Sequence, residues 1–297
     1  MSILKSEIDT PALCLDLDVM EANIASIVAT CNEHGVAWRP HSKCHKSSLI
    51  GQKLVEAGAL GITCAKLGEA EVMAAGGIQD LLIANLIVGP AKVKRLVELR
   101  KIADPIVCID HIDQALPISA AMADSGQQLR VIIEVDIGLE RVGVAPLEPT
   151  LELARQLKAL PGIELAGIMG YEGHLLALED AEEKDTLIHE ALDRLVQTAD
   201  LLRAEGIPCE IVSCGGTGSY LISATHPGIT ELQAGGAIFM DQFYRDACKI
   251  DNLDFALTLV VTVVGRPAAD RAIIDAGRKS IHQDSNPCVV IGRDDIR

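Results

Sequence analysis

A repeating order of short aliphatic runs and helical segments extends through this sequence from Val36 to about residue 240. The runs lack the polar–apolar alternation of a half-exposed strand, which indicates strands buried on both faces. Eight such runs follow one another, at residues 36–38, 61–64, 80–84, 105–109, 129–135, 163–169, 209–213 and 230–234. Helical patterns separate them, at residues 49–57, 67–75, 91–101, 111–125, 147–159 and 181–205, with a short one after Thr217.

Eight strand–helix units in roughly 200 residues have the size and order of a (β/α)8 barrel of the TIM type. The alternative is an open doubly wound sheet, but no glycine fingerprint follows the first strand to support it. We therefore predict an α/β chain in which residues 18–245 form a (β/α)8 barrel.

The sequence beyond Asp241 has a different character. Strongly β-forming residues occupy 255–264 and 272–275, with a third run at 288–291. They predict a β domain of residues 1–17 and 246–297, joined by an N-terminal strand at Ala12. Two or three strands are too few for an independent sheet, so we expect the C-terminal part of this domain to be incomplete.

Charge and cysteine usage exclude several classes of partner. A net charge of −16 argues against nucleic acid and anionic membranes. No apolar window is long enough for a membrane span, and the first residues lack a secretion signal. The nine cysteines show no CxxC pair or regular spacing, so they indicate reduced thiols and a cytoplasmic protein.

A basic segment, residues 39–46, follows the first barrel strand with the sequence RPHSKCHK. Barrels carry their chemistry at the C-terminal ends of strands. A part-buried lysine among other cations loses its proton readily, so Lys43 is a candidate nucleophile. The alternative is a solvated basic loop. Metal binding by His41, Cys44 and His45 lacks a fourth ligand and matches no zinc pattern.

Two glycine-rich segments follow the last two barrel strands: residues 215–218, and the pair Gly235 and Gly236. Exposed backbone N–H groups before a helix bind phosphate, and barrels often place that site after their last strands. The alternative is a pair of tight turns. Together with a candidate Schiff-base lysine, a phosphate site suggests pyridoxal phosphate as cofactor.

Three further residues follow strand ends. Arg141 stays protonated and only donates hydrogen bonds, so beside a pyridine nitrogen it would leave that nitrogen unprotonated; the alternative is a salt bridge at the barrel rim. Tyr171 is one of only three tyrosines and its hydroxyl is a candidate functional group, with packing as the alternative. His174 is either an acid–base group or a structural loop histidine.

Several motifs together resemble the fold type III, alanine-racemase-like pyridoxal phosphate enzymes. The resemblance is to the branch of D-threonine aldolase, D-3-hydroxyaspartate aldolase or dehydratase, and D-serine dehydratase. The motifs are RPHSKCHK at residues 39–46, GITCA at 61–65, EVDIG at 134–138 with RVG at 141–143, GYEGH at 170–174 and GGT at 215–217.

The resemblance implies roles for named residues. Lys43 is implied as the Schiff-base lysine, Arg141 as the partner of the pyridine nitrogen, and Tyr171 as a neighbour of the cofactor. The catalytic residues expected are Lys43, Tyr171 and His174. The cofactor-binding residues expected are Lys43, His41, Arg141, Tyr171, Gly216, Thr217, Gly235 and Gly236.

The family also carries a divalent metal, Mn or Zn, held by a His-x-Cys or His-x-Asp pair in its β domain. No such pair follows Asp241, since His282 is followed by Gln283 and Asp284. We therefore assign no metal ligand in this chain, although the family implies the metal.

The expected activity is a lyase that cleaves D-β-hydroxy amino acids, such as D-threonine or D-3-hydroxyaspartate, to glycine plus an aldehyde or glyoxylate. One alternative is β-elimination of water, as in a D-serine or D-3-hydroxyaspartate dehydratase. A second alternative is a pyridoxal-phosphate-binding protein without lyase activity. The resemblance further implies a homodimer.

Overall fold

Short strands and helices alternate through most of the chain. The computed structural model describes residues 4–281, 288–293 and 296. Its strands are β1 (Ala12–Leu15), β2 (Ala37–Trp38), β3 (Ile62–Cys64), β4 (Asp80–Leu86), β5 (Asp104–Ile109), β6 (Leu129–Glu134), β7 (Ile163–Met169), β8 (Ile211–Cys214), β9 (Glu231–Leu232), β10 (Leu257–Val260), β11 (Val263–Ala268) and β12 (Arg271–Ile274). Its α-helices are α1 (Leu17–His34), α2 (Ser48–Glu56), α3 (Leu67–Ala75), α4 (Pro90–Arg100), α5 (Ile112–Asp124), α6 (Glu148–Lys158), α7 (Ala181–Ala204), α8 (Tyr220–Ser223) and α9 (Gln242–Asp246).

One eight-stranded sheet contains β2 to β9 in the order β2-β9-β8-β7-β6-β5-β4-β3, and each neighbouring pair is parallel. Its two outer strands also meet. Leu60 N donates to Trp38 O at 2.8 Å, Thr63 N donates to Pro40 O at 2.9 Å, and a parallel bridge joins His41 to Thr63. The sheet therefore curls until its edges pair. The predicted (β/α)8 barrel is confirmed, and the open doubly wound sheet is wrong.

Local sequence signals set the ends of the barrel helices. Ser47 caps α2, because its hydroxyl accepts a hydrogen bond from Ile50 N. Asp180 caps α7 in the same way, accepting from Glu183 N at 2.9 Å. Gly206, with a φ of +69°, lets the chain turn after α7. These helices cover strands whose side chains are buried on both faces, as the aliphatic runs predicted.

A buried ionic cluster lies at the N-terminal ends of several barrel strands. Arg39 is only 1 % exposed, and its Nε contacts both oxygens of Glu231 at 3.1 and 3.2 Å. Its Nη1 is paired with Asp80, which also receives Arg130 Nη2 at 3.2 Å. Arg130 in turn contacts Asp104 at 2.7 Å. Burial alone lowers the pKa of Arg39, but the charges of Glu231 and Asp80 raise it by more, so the guanidinium stays protonated.

The chain divides into two compact units, Ile24–Ala237 and the combination of the residues up to Asn23 with those from Ile238. In the second unit β1 pairs antiparallel with β10, opposing Ala12 and Val260, which confirms that the N-terminal strand joins the C-terminal strands. β11 and β12 form a separate antiparallel pair. The strand predicted at 288–291 is wrong, since those described residues form no strand. The segment from His282 to Asp284 lies outside the described residues.

Among the residues that the structure describes, no helix combines the length and apolar character required to span a membrane.

The ionic cluster generates a prediction about stability. Replacing Arg39→Met removes the partner of two carboxylates, one of them fully buried, and is expected to lower the free energy of unfolding by about 3–5 kcal/mol. Urea denaturation of the purified protein measures the loss. Arg95→Met is the matched control, because Arg95 pairs with Glu71 on the exposed surface and its removal is expected to leave the unfolding midpoint unchanged. Equal losses for the two variants would contradict the structural role of Arg39.

Candidate active site

Lys43 lies in a short 3₁₀ turn, Ser42–Cys44, directly after the residues that close the barrel. The side chain of His41 caps this turn, because its Nδ1 accepts a hydrogen bond from Lys43 N at 3.2 Å. Ser42 is buried, and its hydroxyl lies 3.7 Å from the Sγ atom of Cys64 at the end of β3. The turn is therefore anchored on both sides of Lys43, at the C-terminal edge of the barrel where such folds carry chemistry.

The surroundings of Lys43 favour a neutral amine. The residue retains contact with solvent, but partial burial lowers the pKa of its ammonium group, and the nearby charge of Arg141 lowers it further. Burial is also the main reason that the pKa of His41 falls to about 3, with Lys43, His45 and Arg141 adding to the effect. His41 is therefore neutral near pH 7, which leaves its Nδ1 free to accept the hydrogen bond that caps the turn.

Arg141 reaches the same region because the chain folds back after β6. Asp136 N donates to Val144 O, and Val144 N donates to Glu134 O, both at 2.9 Å. The Asp136 carboxylate accepts hydrogen bonds from two backbone N–H groups within the loop. Gly143 has a φ of +113°, and a Cβ atom there would lie 2.7 Å from Asp136 N, so the return of the chain requires glycine.

Glu134, the last residue of β6, holds the Arg141 side chain. Glu134 Oε1 lies 3.3 Å from Arg141 Nη2, and the Glu134 side chain is almost fully buried. Burial raises the pKa of Glu134, while Arg141 acts in the opposite direction without cancelling the shift. The sequence analysis did not single out Glu134, although its place at a strand end was the same signal that identified Arg141.

Tyr171 lies close to both basic side chains. The ring centroid is 6.0 Å from Lys43 Nζ and 6.0 Å from Arg141 Cζ. Two glycines make room for the ring: a Cβ atom on Gly173 would lie 2.4 Å from it, and one on Gly216 would lie 2.9 Å from the Tyr171 hydroxyl. The structure thus brings Lys43, Arg141 and Tyr171 together, as expected from their positions at strand ends.

His174 is exposed, in the turn that follows Tyr171. Its Nε2 lies 2.8 Å from the position of a Cβ atom on Gly138, so the imidazole packs over the loop that carries Arg141. The side chain is therefore at the mouth of the barrel. Its role as an acid–base group stays a prediction.

In the glycine-rich loop after β8, some backbone N–H groups donate hydrogen bonds within the protein and others have no acceptor among the described residues. Gly215 N donates to Glu172, and Gly216 N donates to the Ser219 hydroxyl at 3.1 Å. The N–H groups of Thr217 and Gly218 donate no hydrogen bond to another described residue, although both residues are buried. The helix that follows, α8, is a single turn. Donors for an anion therefore come from the loop itself rather than from a helix end.

The loop after β9 lies against both the glycine-rich loop and the lysine turn. Ala237 N donates to the Thr217 hydroxyl at 2.9 Å, and the N–H group of Gly236 has no acceptor among the described residues. A Cβ atom on Gly235 would lie 2.1 Å from His41 O. Cys44 Sγ lies 3.3 Å from Gly235 O. The amine of Lys43 and the N–H groups available to an anion therefore belong to adjoining segments of one barrel edge.

Contacts across space reveal residues that the sequence analysis missed. Glu172 is fully buried, and its carboxylate accepts hydrogen bonds from Ser219 and Ser223, both at 2.6 Å, besides Gly215 N at 3.3 Å. The GYEGH motif contains this glutamate, but a sequence alone does not indicate which partners a buried carboxylate finds. Arg39 belongs to the same basic segment as Lys43, but its side chain lies in the ionic cluster at the opposite ends of the strands.

Within residues 4–281, 288–293 and 296, no group of three or more His, Cys, Asp or Glu side chains could hold a metal ion.

Comparison with known proteins identifies the family of this chain. A family model described as "Alanine racemase, N-terminal domain" matches residues 15–242. The chain belongs to this family. The resemblance inferred from the motifs is therefore confirmed, and so is the alanine-racemase-like fold.

Three relatives illustrate the breadth of this similarity. The D-threonine aldolase of Arthrobacter sp is 39% identical over 289 residues, covering 97% of this chain and 76% of that protein. The D-threo-3-hydroxyaspartate dehydratase of Delftia sp. (strain HT23) is 34% identical over 281 residues, covering 93% and 73%. The crystal structure of D-threonine aldolase from Filomicrobium marinum matches with a TM-score of 0.94 at 35% identity, covering 97% and 78%. The chain spans about three quarters of their lengths.

The lowered pKa of Lys43 generates a second prediction. We expect the rate of acetylation of Lys43 by acetic anhydride to rise at a lower pH than that of an ordinary lysine, because its neutral amine forms earlier. Lys46, whose exposed ammonium lies 3.5 Å from Glu69, is the internal reference. Mass spectrometry of peptides labelled across a pH series gives, for each lysine, the pH at which its acetylation rate is half-maximal. Accessibility to the reagent scales the maximal rate but leaves this midpoint pH unchanged.

Arg141→Gln tests how much the charge of Arg141 adds to the effect of burial on the pKa of Lys43. Removing the positive charge is expected to move the Lys43 midpoint upward and to leave the Lys46 midpoint in place. Identical midpoints for Lys43 and Lys46 in the unmodified protein would contradict the shift itself.

Proposed function

We propose that this alanine racemase family member is a pyridoxal-phosphate-dependent lyase. Its substrates are D-configured β-hydroxy amino acids such as D-threonine or D-3-hydroxyaspartate, and its products are glycine and an aldehyde or glyoxylate. The similarity to the aldolases of Arthrobacter sp and Filomicrobium marinum supports this choice. The observation that carries it is the arrangement at one barrel edge. An amine of lowered pKa lies beside two loops in which the N–H groups of Thr217, Gly218 and Gly236 find no acceptor among the described residues.

The residues of this edge fit pyridoxal phosphate. The aldehyde of the cofactor requires an amine, which Lys43 supplies, and its phosphate requires donors. Buried N–H groups without partners are rare in proteins. The N–H groups of the buried Thr217 and Gly218 and of the half-buried Gly236 have no acceptor among the described residues, and they are suited to a phosphate. Gly216 leaves room for the Tyr171 ring instead, since its own N–H group is bonded to Ser219. When bound, pyridoxal phosphate supplies an electron sink for the bonds at the substrate α-carbon.

The other side chains act by position and charge. Arg141, always protonated, would donate to the pyridine nitrogen and keep it unprotonated. Its pairing with Glu134 orients the guanidinium toward the side of Tyr171. Tyr171, with His41 and Gly235, would form the walls of the cofactor site.

His174 is the proposed acid–base group of the site. The imidazole of this exposed residue, at the barrel mouth, would accept the proton of the substrate β-hydroxyl, which must leave before the bond between the α- and β-carbons breaks.

A divalent ion, Mn or Zn, is part of the expectation from the family resemblance. The described residues offer no group of three ligands for it. We therefore derive no step that depends on a metal.

Dehydration is the second candidate function, favoured by the similarity to the Delftia dehydratase. Here the α-proton would leave first, with Lys43 Nζ as the base, and water would then be lost from the β-carbon. Cofactor binding without lyase activity is the third candidate.

We further propose a cytoplasmic homodimer. Support for the location is limited to the cysteines, which form no disulfide bond in the part of the chain that the structure describes. The dimer rests on the family resemblance alone, and size-exclusion chromatography with light scattering would test it.

Product analysis tests the proposed function. The protein is incubated with pyridoxal phosphate and D-threonine or D-3-hydroxyaspartate, with and without Mn²⁺. Glycine with acetaldehyde or glyoxylate is the expected result, and L-threonine is the control substrate. A keto acid with ammonia would instead identify a dehydratase. Retention of the cofactor without turnover of either substrate would identify a binding protein.

Lys43→Ala tests the cofactor site independently of turnover. We expect the visible absorbance of bound pyridoxal phosphate and the lyase activity to disappear together, because the amine is lost. Lys46→Ala is the control and is expected to preserve the absorbance. If the unmodified protein acquires no such absorbance with added cofactor, the enzyme and the carrier proposals both fail.

A further inference from the structure

Glu172 is a carboxylate without solvent exposure, and all three of its hydrogen-bond donors come from the segment that contains the glycine-rich loop. Its Oε1 accepts from the hydroxyls of Ser219 and Ser223, and its Oε2 accepts from Gly215 N. A buried carboxylate is costly unless it is well bonded. The loop therefore has a strong reason to keep the conformation in which these three bonds exist.

The bonds continue from the carboxylate into the loop. The Ser219 hydroxyl donates its proton to Glu172, so its oxygen remains free to accept from Gly216 N at 3.1 Å. Ser219 N also donates to Gly216 O at 3.1 Å, which closes the turn. Gly215 and Gly216 thus direct their N–H groups inward, to Glu172 and Ser219. The next two N–H groups, of Thr217 and Gly218, donate to no acceptor within the described parts of the chain.

Glu172 also follows Tyr171 directly in the chain. The Tyr171 hydroxyl lies 2.9 Å from the position that a Cβ atom on Gly216 would occupy, so ring and loop are in close contact. Fixing Glu172 against the loop therefore fixes Tyr171 against Gly216.

We propose that Glu172 is a positioning residue for the anion-binding loop. Acting through Gly215 and Ser219, it holds the loop so that the N–H groups of Thr217 and Gly218 face a bound phosphate, and it keeps Tyr171 beside them. This inference rests on the proposed cofactor site and adds to it the residue that shapes its phosphate end. A carboxylate that only filled the core would affect stability without affecting the preference for a phosphorylated ligand.

The test compares two probes, pyridoxal phosphate and pyridoxal, which differ only in the phosphate. Their dissociation constants for the full chain, freed of cofactor, are measured by absorbance titration. The quantity of interest is the ratio of the two constants, the phosphate preference. Ser219→Ala removes the relay to Gly216 N and is expected to reduce this preference about tenfold, the effect of one hydrogen bond to a charged group.

Ser223→Ala is the matched control. It removes a hydrogen bond of the same length to the same carboxylate oxygen, but Ser223 donates to Glu172 without bonding Gly215 or Gly216. We expect its phosphate preference to change by less than about threefold. Glu172→Gln keeps the shape of the side chain but replaces one acceptor oxygen with an NH₂ donor. It cannot accept from both Gly215 and the serines, so we expect a loss of at least about tenfold.

The outcomes are separable. If the unmodified protein binds pyridoxal phosphate with a phosphate preference that Ser219→Ala and Glu172→Gln leave unchanged, the role of Glu172 is wrong and the proposed function stands. Equal losses for Ser219→Ala and Ser223→Ala would likewise overturn it, since they indicate general damage. If Glu172→Gln does not fold, the phosphate preference of Ser219→Ala is compared with that of Ser223→Ala, and this comparison decides the role of Glu172. If the unmodified protein binds neither probe, the proposed function fails and this inference falls with it.

Discussion

The charge of Arg39 is the constraint on which the barrel depends. A guanidinium with 1 % exposure must be paired, and its partners Glu231 and Asp80 are 192 and 41 residues away in the chain. They come from β9 and β4, so the pairs form only when the sheet has curled far enough to bring these strands around β2. Removing any one partner leaves an uncompensated charge in a buried place. Closure of the barrel and neutralisation of the cluster are therefore one event.

The same short segment connects this cluster to the functional edge. Arg39 points toward the N-terminal ends of the strands, while Lys43, four residues later, lies in the turn at their C-terminal ends. The intervening Pro40 and His41 make the backbone contacts that close the barrel. The lysine that we propose as the cofactor-binding residue is thus placed by a segment held at both ends, which limits the conformational freedom of its turn.

Electrostatics at the mouth differ from those of the whole molecule. The chain carries a net charge of −16, yet the basic side chains of Lys43 and Arg141 both lie 6.0 Å from the centroid of one tyrosine ring. His41 is neutral chiefly because it is buried, and the charges of Lys43 and Arg141 lower its pKa further. Two carboxylates of this edge are buried and bonded within the protein: Glu134 to Arg141, and Glu172 to the serines and Gly215. An anionic ligand would therefore meet basic side chains and the N–H groups of Thr217 and Gly218, which have no acceptor among the described residues.

Local patterns in the sequence determined the barrel, its helices and the loops that carry its chemistry. The predicted helix at 67–75 and strand at 163–169 have the bounds observed for α3 and β7, because short-range periodicity and turn residues decide such elements. Lys43, Arg141 and the glycine loops were identifiable because a parallel barrel places all its strand ends at one edge. The prediction at 288–291 was wrong, because β-forming residues make a strand only where a neighbouring strand is available.

Only the tertiary structure decided that Arg39 is a buried anchor and that the N–H group of Gly216 donates to Ser219. It also decided that Glu172 organises the glycine-rich loop, although Thr217 is 45 residues further along the chain. Those roles depend on which groups meet after the chain has closed, and no local pattern encodes the partner of a buried charge.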